Sequence, residues 1–281
     1  MLPSCRRMLV AILLWASPAG AALAQLSGTE QAYLDTIKSG RKLGSMQEIE
    51  ALWNGGQREY SAGHYATAFD VFSAMETGGS VQAAGVVGDM YRMGQGVTQN
   101  PALAFEHYRR AGEAGYDYGE LRVALAYQNG SGVTQDLAAA AEHFRVCADL
   151  KGSKEAICAR GRANAYETGR GLPPDDTLAF EWYRRGAELG EKVSQRKVGY
   201  FMTHGKGTQA DPAGAIEWYE KAAAQNESDA LYNLGYAYYT GRGVPQDIAA
   251  ARKWFEKADA AGSAEAATAL ALIGSGTEGA H

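Results

Sequence analysis

The sequence lacks an excess of positive charge, and beyond its first residues it lacks any long hydrophobic run. Its 27 lysine and arginine residues are outnumbered by 32 aspartate and glutamate residues, which gives a formal net charge of −5. Proteins that bind nucleic acids broadly need a basic surface, so this balance argues against that function. After residue 24 no stretch is long or apolar enough to cross a bilayer, so we expect no membrane span.

The sequence also lacks the local motifs by which enzymes and metal sites are usually recognised. It has no Gly-x-Ser-x-Gly elbow, and its Gly-x-Gly segments lack the Lys-Ser/Thr of a nucleotide-binding loop. His64 and His204 have no carboxylate or cysteine at metal-ligand spacing. His107 and His143 each follow a glutamate, but tryptophan follows the glutamate at equivalent positions later in the chain. We therefore predict no catalytic residue, no metal site and no cofactor.

The first residues have the composition of an export signal. Arg6 and Arg7 precede an apolar run over residues 8–15, and Ala-Leu-Ala at 22–24 is a small-residue cleavage site. We expect residues 1–24 to be a signal peptide and the mature chain to be soluble and periplasmic or secreted, most simply in a bacterial periplasm. Cleavage would remove two arginines and no acidic residue, so the formal charge would change from −5 to −7.

Glycines, helix-capping residues and aromatic residues recur with nearly the same spacing through most of the chain. Each unit has two glycines two residues apart, then an Asn or Asp that can cap a helix, then a Phe or Tyr with an alanine four residues before it. The first glycines are Gly94, Gly130, Gly169, Gly205 and Gly241, with spacings of 36, 39, 36 and 36. The capping residues are Asn100, Asp136, Asp175, Asp211 and Asp247, and the aromatic residues are Tyr108, Phe144, Tyr183, Tyr219 and Phe255. Phe72 lies one period of 36 residues before Tyr108 and has the same alanine four residues before it. A helix pair that recurs with this period predicts an α-solenoid.

The clearest unit, residues 229–262, shows why each repeat is a helix pair. Ala230, Leu234 and Tyr238 recur every four residues and form one packing face of a first helix. Gly241 can end that helix in the left-handed conformation, and Asp247 can cap the second helix. The unit therefore predicts two helices joined by a loop.

The repeated pattern A-x-x-x-L-G-x-x-Y-x-x-G-x-G-V-x-x-D-x-x-x-A-x-x-W-Y-x-x-A resembles the Sel1-like repeat, a relative of the tetratricopeptide repeat with a longer loop between its helices. The resemblance covers residues 80–271 and constrains many positions in each of five copies. Met202 departs from the pattern at a tyrosine position, and His107 and His143 replace its tryptophan. The resemblance implies an all-α fold, namely a right-handed α-solenoid of Sel1-like and tetratricopeptide-like helix pairs.

The phase of the repeats divides the mature chain into four segments. Residues 25–45 are weakly patterned, and residues 46–79 resemble a tetratricopeptide-type unit that would cap the array. Residues 80–262 contain the five Sel1-like repeats, and residues 263–281 are expected to form a C-terminal capping helix and tail. The unbroken phase favours one repeat array over separate globular domains.

Two cysteines follow the predicted signal peptide, and both occupy positions that are small residues in the other repeats. Cys147 lies in a second helix and Cys158 in the next first helix, on either side of the three-residue insertion near residues 152–155. Because these positions should face each other in an oxidising compartment, we predict a disulfide, with two free buried thiols as the alternative. Secreted cysteine-rich Sel1-like proteins are similar in having cysteines at matching places.

The outward positions of the first helices supply the candidate binding surface, because in the resembling repeats these helices line the concave face. The set is basic and aromatic for an acidic protein, and it comprises Arg92, Arg122, Gln128, Arg160, Asn164, Glu167, Arg196, Lys197, Tyr200, Tyr232, Asn233, Tyr236 and Tyr239. Arginine binds carboxylates bidentately and tyrosine offers contact area at low entropic cost. We expect a groove for a peptide with acidic groups or for its C-terminus. The alternative is that these are ordinary solvated positions.

Three classes of function remain open. The resemblance implies a non-catalytic adaptor that binds a protein or peptide partner. Some cysteine-rich relatives have been linked to binding or slow hydrolysis of β-lactams or cell-wall fragments, although the sequence supplies no nucleophile with a base beside it. A third possibility is an envelope component that faces carbohydrate, since exposed tyrosines can stack on sugars. Of the three, we predict the non-catalytic adaptor.

Overall fold

The structure, a computed structural model, describes residues 26–276, with side chains to residue 273. The predicted signal peptide, residues 1–24, lies outside this range, as do residues 277–281 at the end of the predicted tail. The described residues form fourteen helices and no strand, so the all-α expectation is confirmed for this part of the chain. They divide into two units, unit 1 up to residue 135 and unit 2 from residue 136.

Unit 1 contains six of these helices. They are α1 (Gly28–Lys38), α2 (Met46–Ser61), α3 (Tyr65–Thr77), α4 (Val81–Met93), α5 (Pro101–Glu113) and α6 (Asp117–Asn129). Its core contains Leu34 of α1, Leu52 of α2 and Phe72 of α3, all buried in one cluster. Gly28–Lys38 thus forms a helix that contributes to the core, in a segment whose sequence pattern is weak. The signal in the sequence was a capping box, in which Ser27 and Glu30 each bond the other's backbone N–H at the start of α1.

Unit 2 contains the other eight helices of the described chain. They are α7 (Leu137–Asp149), α8 (Glu155–Thr168), α9 (Asp176–Glu188), α10 (Lys192–His204), α11 (Pro212–Ala223), α12 (Ser228–Thr240), α13 (Ile248–Ala260) and α14 (Ala264–Gly276). Tyr183, Tyr219 and Phe255 are the buried aromatic residues of its second helices α9, α11 and α13. Gly235 keeps the face of α12 thin, because a Cβ there would lie 2.6 Å from the Phe255 ring.

The repeated capping residues begin the second helices as the sequence predicts. The side chains of Asn100, Asp136, Asp175, Asp211 and Asp247 each accept a hydrogen bond from the backbone of the first helical turn. At the other end, Gly241 closes α12 with φ of 74°. Side chains that bond these free N–H groups and glycines that adopt left-handed φ fix both ends of each loop.

The second glycine of each loop has a role beyond backbone freedom. A Cβ on Gly171 would lie 2.1 Å from the Leu137 carbonyl oxygen, and one on Gly243 would lie 2.2 Å from that of Pro212. Both carbonyls belong to the first turn of the preceding second helix. The loop therefore lies directly on the previous repeat, and only glycine leaves room for this contact.

A disulfide joins the two cysteines of unit 2. Cys147 of α7 and Cys158 of α8 are bonded with their Cα atoms 5.9 Å apart, and both side chains are fully buried. The bond spans the junction that carries the three-residue insertion. The structure thus contains the predicted disulfide and not the alternative of two free thiols.

Candidate partner-binding surface

All thirteen predicted surface residues lie on first helices, and none of them is buried. In unit 1, Arg92 is on α4 and Arg122 and Gln128 are on α6. The unit 2 members are Arg160, Asn164 and Glu167 on α8, Arg196, Lys197 and Tyr200 on α10, and Tyr232, Asn233, Tyr236 and Tyr239 on α12.

In unit 1 the predicted cations are paired with a carboxylate that the sequence analysis did not select. Asp89 accepts hydrogen bonds from the hydroxyls of Tyr108 at 2.8 Å and Tyr118 at 2.5 Å. Arg92 and Arg122 approach the same carboxylate at 3.2 and 3.4 Å. Burial and the neighbouring Asp89 charge raise the pKa of Tyr108 to about 12, so this hydroxyl stays protonated and donates.

In unit 2 a second carboxylate takes the same role. Glu167 accepts from the Tyr183 hydroxyl at 2.6 Å and from the Lys197 ammonium at 2.8 and 2.9 Å, and Lys206 lies 3.9 Å away. Burial alone would raise the pKa of Glu167, but the hydrogen bonds from Lys197 and Tyr183 outweigh it and hold the pKa below the ordinary value of 4.5. Glu167 is therefore a structural partner of Lys197 and not a free acid.

The remaining two arginines of the set form another repeated pair. Arg196 Nε lies 3.1 Å from Glu227, and Arg160 Nε lies 3.5 Å from Glu191. Glu191 and Glu227 also cap α10 and α12 through their side chains. Arg160 and Arg196 are 36 residues apart, as are Glu191 and Glu227, so the repeat spacing of the sequence could have predicted these pairs.

Among the thirteen predicted surface residues, the tyrosines of unit 2 are the ones that remain free to contact a partner. Tyr200, Tyr236 and Tyr239 are 38%, 48% and 42% exposed. Among the described residues, no hydrogen bond involves any of these three hydroxyls. Tyr232 stacks beside Tyr236 with ring centroids 6.4 Å apart and packs on Phe255 at 5.4 Å, so the exposed rings stand on a buried support. We call Tyr200, Tyr232, Tyr236 and Tyr239 the tyrosine face.

The described residues hold no group of three or more His, Cys, Asp or Glu side chains placed to bind a metal ion. Within residues 26–276, no helix combines the length and the apolar composition that a membrane span requires.

Comparison with known proteins identifies the repeats. The Sel1 repeat family matches five segments, residues 81–116, 117–150, 155–191, 192–227 and 228–263. None of the curated proteins matches the sequence.

Solved structures are similar over most of the chain. A Sel1 repeat protein from Oxalobacter formigenes is 26% identical with a TM-score of 0.70, over 78% of this chain and 86% of that chain. The protein c5321, a protective antigen present in uropathogenic Escherichia coli strains, displays an SLR fold. It is 24% identical with a TM-score of 0.55, over 87% of this chain and 64% of that chain. These similarities and the family match confirm the fold class as an α-solenoid of Sel1-like helix pairs.

Proposed function

Because the chain belongs to the Sel1 repeat family, whose members are generally scaffolds for protein interactions, we propose that it is an exported, non-catalytic adaptor. It holds a polypeptide partner on the outward face of its first helices. The observation that carries this proposal is the tyrosine face of unit 2. A set of exposed tyrosines favours a binding surface, because tyrosine is enriched at protein interfaces relative to the rest of the protein surface.

The tyrosine face suits a polypeptide segment for two physical reasons. Tyr200 and Tyr236 occupy the same position in successive repeats, so the rings recur along neighbouring first helices. Each ring offers apolar contact area and a hydroxyl that can bond a backbone amide, with little rotamer entropy to lose. Asn164 and Asn233, on α8 and α12, add amide groups that can bond an extended backbone.

A preference for acidic partners would depend on the less buried arginines. The side chains of Arg92 and Arg160 are 42% and 41% exposed, so a partner can reach them. A carboxylate of the partner would have to share them with Asp89 and Glu191. We therefore propose that tyrosine contacts supply most of the affinity and that the arginines contribute selectivity.

Export is supported by the buried Cys147–Cys158 disulfide, since such bonds persist mainly in oxidising compartments. Intact-mass measurement on protein isolated from its own cells tests this part: reduction should add the mass of two hydrogen atoms. Equal masses before and after reduction would contradict it.

Affinity capture from the source organism's extract tests the binding proposal. The bait is the full chain, compared with Tyr200→Ala/Tyr236→Ala/Tyr239→Ala and with the control Glu220→Ala/Lys253→Ala/Glu256→Ala. The control residues are exposed and lie on second helices of the same unit. We expect at least one protein to bind the chain and the control and to bind the tyrosine variant about tenfold or more weakly. Retention of the same proteins by both variants, with unchanged helical circular dichroism, would contradict the proposal.

A further inference from the structure

Unit 1 contains a cleft that the proposed partner surface does not use. It lies where α3, α4 and α5 meet, has a volume of about 530 Å³, and is lined among others by Phe69, Ser73, Glu76, Tyr91, His107 and Arg110. This volume falls within the range of roughly 300–1,000 Å³ that is common for small-ligand sites.

The repeats of unit 2 show what normally fills this place. The position of His107 is tryptophan in α9, α11 and α13, namely Trp182, Trp218 and Trp254. Trp182 and Trp218 pack on the same core cluster as Tyr166 and Met202, which occupy the position of Tyr91. Trp254 packs on the clusters that include Tyr238 and Ala223. An indole of the chain itself thus closes the equivalent place at each of these repeats.

A cation lies over each of those indoles. Arg185 lies 5.2 Å from the ring centroid of Trp182, Lys221 lies 4.1 Å from that of Trp218, and Lys257 lies 4.2 Å from that of Trp254. Arg110 occupies the same position in unit 1. Unit 1 therefore keeps the cation of this arrangement but has no indole beneath it.

The remaining substitutions make the cleft polar at its base. Glu76 stands where Ala148, Ala187 and Ala223 stand in the second helices of unit 2. Its Oε1 lies 2.8 Å from His107 Nδ1 and 3.5 Å from Arg110, and the Glu76 and His107 side chains are only 15% and 14% exposed. The Tyr91 ring stacks on His107 at 5.3 Å, which holds the imidazole against one wall.

A buried hydroxyl in the lining has no bonding partner. Ser73 Oγ is inaccessible to solvent and makes no hydrogen bond within the described part of the chain. A buried polar atom without a partner destabilises the folded chain, and an N–H donor brought by a ligand would relieve this penalty. Ser73 is thus a second, independent feature that favours a ligand in the cleft.

We propose that the cleft receives an aromatic side chain of a bound polypeptide, and that a tryptophan fits it best. The indole would lie beside the His107 imidazole, in the space that this smaller ring leaves open and that Trp182, Trp218 and Trp254 close in unit 2. Arg110 would cover the ring face, and the indole N–H would donate to Ser73 Oγ after rotation of the Ser73 side chain toward the cleft. The site shares no residue with the tyrosine face, because its lining residues belong to unit 1.

Binding of N-acetyl-L-tryptophanamide to the full chain, followed by backbone amide NMR shifts, tests the site. We expect saturable shifts at Ser73, Glu76 and His107 with a dissociation constant on the order of a millimolar, as befits a ligand of this size. N-acetyl-L-leucinamide should bind at least about tenfold more weakly, because it offers no ring to Arg110. Absence of saturable shifts at these residues, or equal affinity for the two probes, would overturn the proposal.

Two substitutions, His107→Trp and Ser73→Ala, test whether the probe binds in this cleft and not elsewhere on the chain. His107→Trp introduces the tryptophan that other repeats have at this position and should weaken probe binding about tenfold or more. The control His143→Trp makes the same change in the next repeat and should change the affinity for the probe by less than about twofold. Ser73→Ala should weaken binding of the tryptophan probe about two- to tenfold but leave an N-methylindole analogue unchanged. Equal binding to His107→Trp and to the unmodified chain would refute the site.

Discussion

Units 1 and 2 each bury a tyrosine hydroxyl against a carboxylate and a cation, but they build this network from different positions. The tyrosines Tyr108 and Tyr183 are equivalent in the repeat, and so are the cations Arg122 and Lys197. The carboxylates are not equivalent, because Glu167 occupies the position of Arg92, one helical turn beyond that of Asp89. Residues three apart on a helix lie on one face, so either position reaches the same hydroxyl.

The other repeats support a rule: a tyrosine at this second-helix position has a hydrogen-bond partner on the preceding first helix, and a phenylalanine there needs none. Phe144 and Phe255 occupy the tyrosine position without a hydroxyl and need no acceptor. Tyr219 has the hydroxyl, and it lies 3.2 Å from Thr203 Oγ1, at the position equivalent to Glu167.

The comparison teaches that Asp89 and Glu167, with their cations, satisfy buried tyrosines of the second helices. Arg160 and Arg196 instead pair with the glutamates that cap the next first helices. These charges are therefore a weaker guide to the ligand than the exposed tyrosines.

The disulfide is the largest difference between the units, since unit 1 contains no cysteine among its described residues. Cys147→Ala/Cys158→Ala should lower the unfolding free energy by about 2–4 kcal/mol, because the bond restricts the unfolded chain. Urea denaturation measures the loss. Hydrogen exchange should show lower protection in α7 and α8 and unchanged protection in α2 and α3; an equal loss in both units would contradict a local role.

Removal of the Glu167 charge should be the next largest effect. Glu167→Gln leaves Lys197 without its counterion and should cost about 1–3 kcal/mol, whereas Glu220→Gln, at an exposed position of α11, should change stability by less than about 0.5 kcal/mol. Asp89→Asn makes the matched test in unit 1. If Glu167→Gln were as mild as Glu220→Gln, the network would not contribute to stability.

The pH dependence of the unfolding free energy distinguishes the contribution of the Glu167 charge from that of the side-chain shape, which Glu167→Gln keeps. The pKa of Glu167 is lowered in the folded chain, so its contribution is complete above the unfolded value of about 4.3 and is lost as the pH falls below that value. Glu167→Gln should therefore flatten the decline of stability on the acid side. Parallel curves for the variant and the parent chain between pH 5 and 3, on the order of one unit either side of that pKa, would contradict this assignment.

Loss of a single hydroxyl should be the smallest effect. Tyr108→Phe and Tyr183→Phe should each cost about 1–2 kcal/mol, because the lost bond is to a carboxylate. Tyr219→Phe loses a bond between neutral groups and should cost about 0.5–1 kcal/mol. Thermal unfolding of the three variants ranks their losses of stability, and a larger loss for Tyr219→Phe than for the other two would contradict this rule.

Much of the fold follows from the sequence, whereas much of the surface chemistry does not. Capping residues and paired glycines act locally, so Asp247 and Gly241 predict the ends of their helices without tertiary information. The position of Asp89 gave no such signal, because its partners Tyr108 and Tyr118 are 19 and 29 residues away. The cleft at His107 was visible as a departure from the pattern, but only the packing of α3, α4 and α5 shows that the missing indole leaves a space.

The central claim is that the tyrosine face holds a polypeptide partner, and site-resolved photocrosslinking in the source cells tests it most directly. A photoreactive phenylalanine analogue is placed at Tyr200 or Tyr236 on the first helices, and at Glu220 or Lys253 on the second helices of the same unit. We expect the two tyrosine positions to give the same discrete adduct and the second-helix positions to give none. An adduct formed equally from both sets, or only from Glu220 and Lys253, would contradict the account.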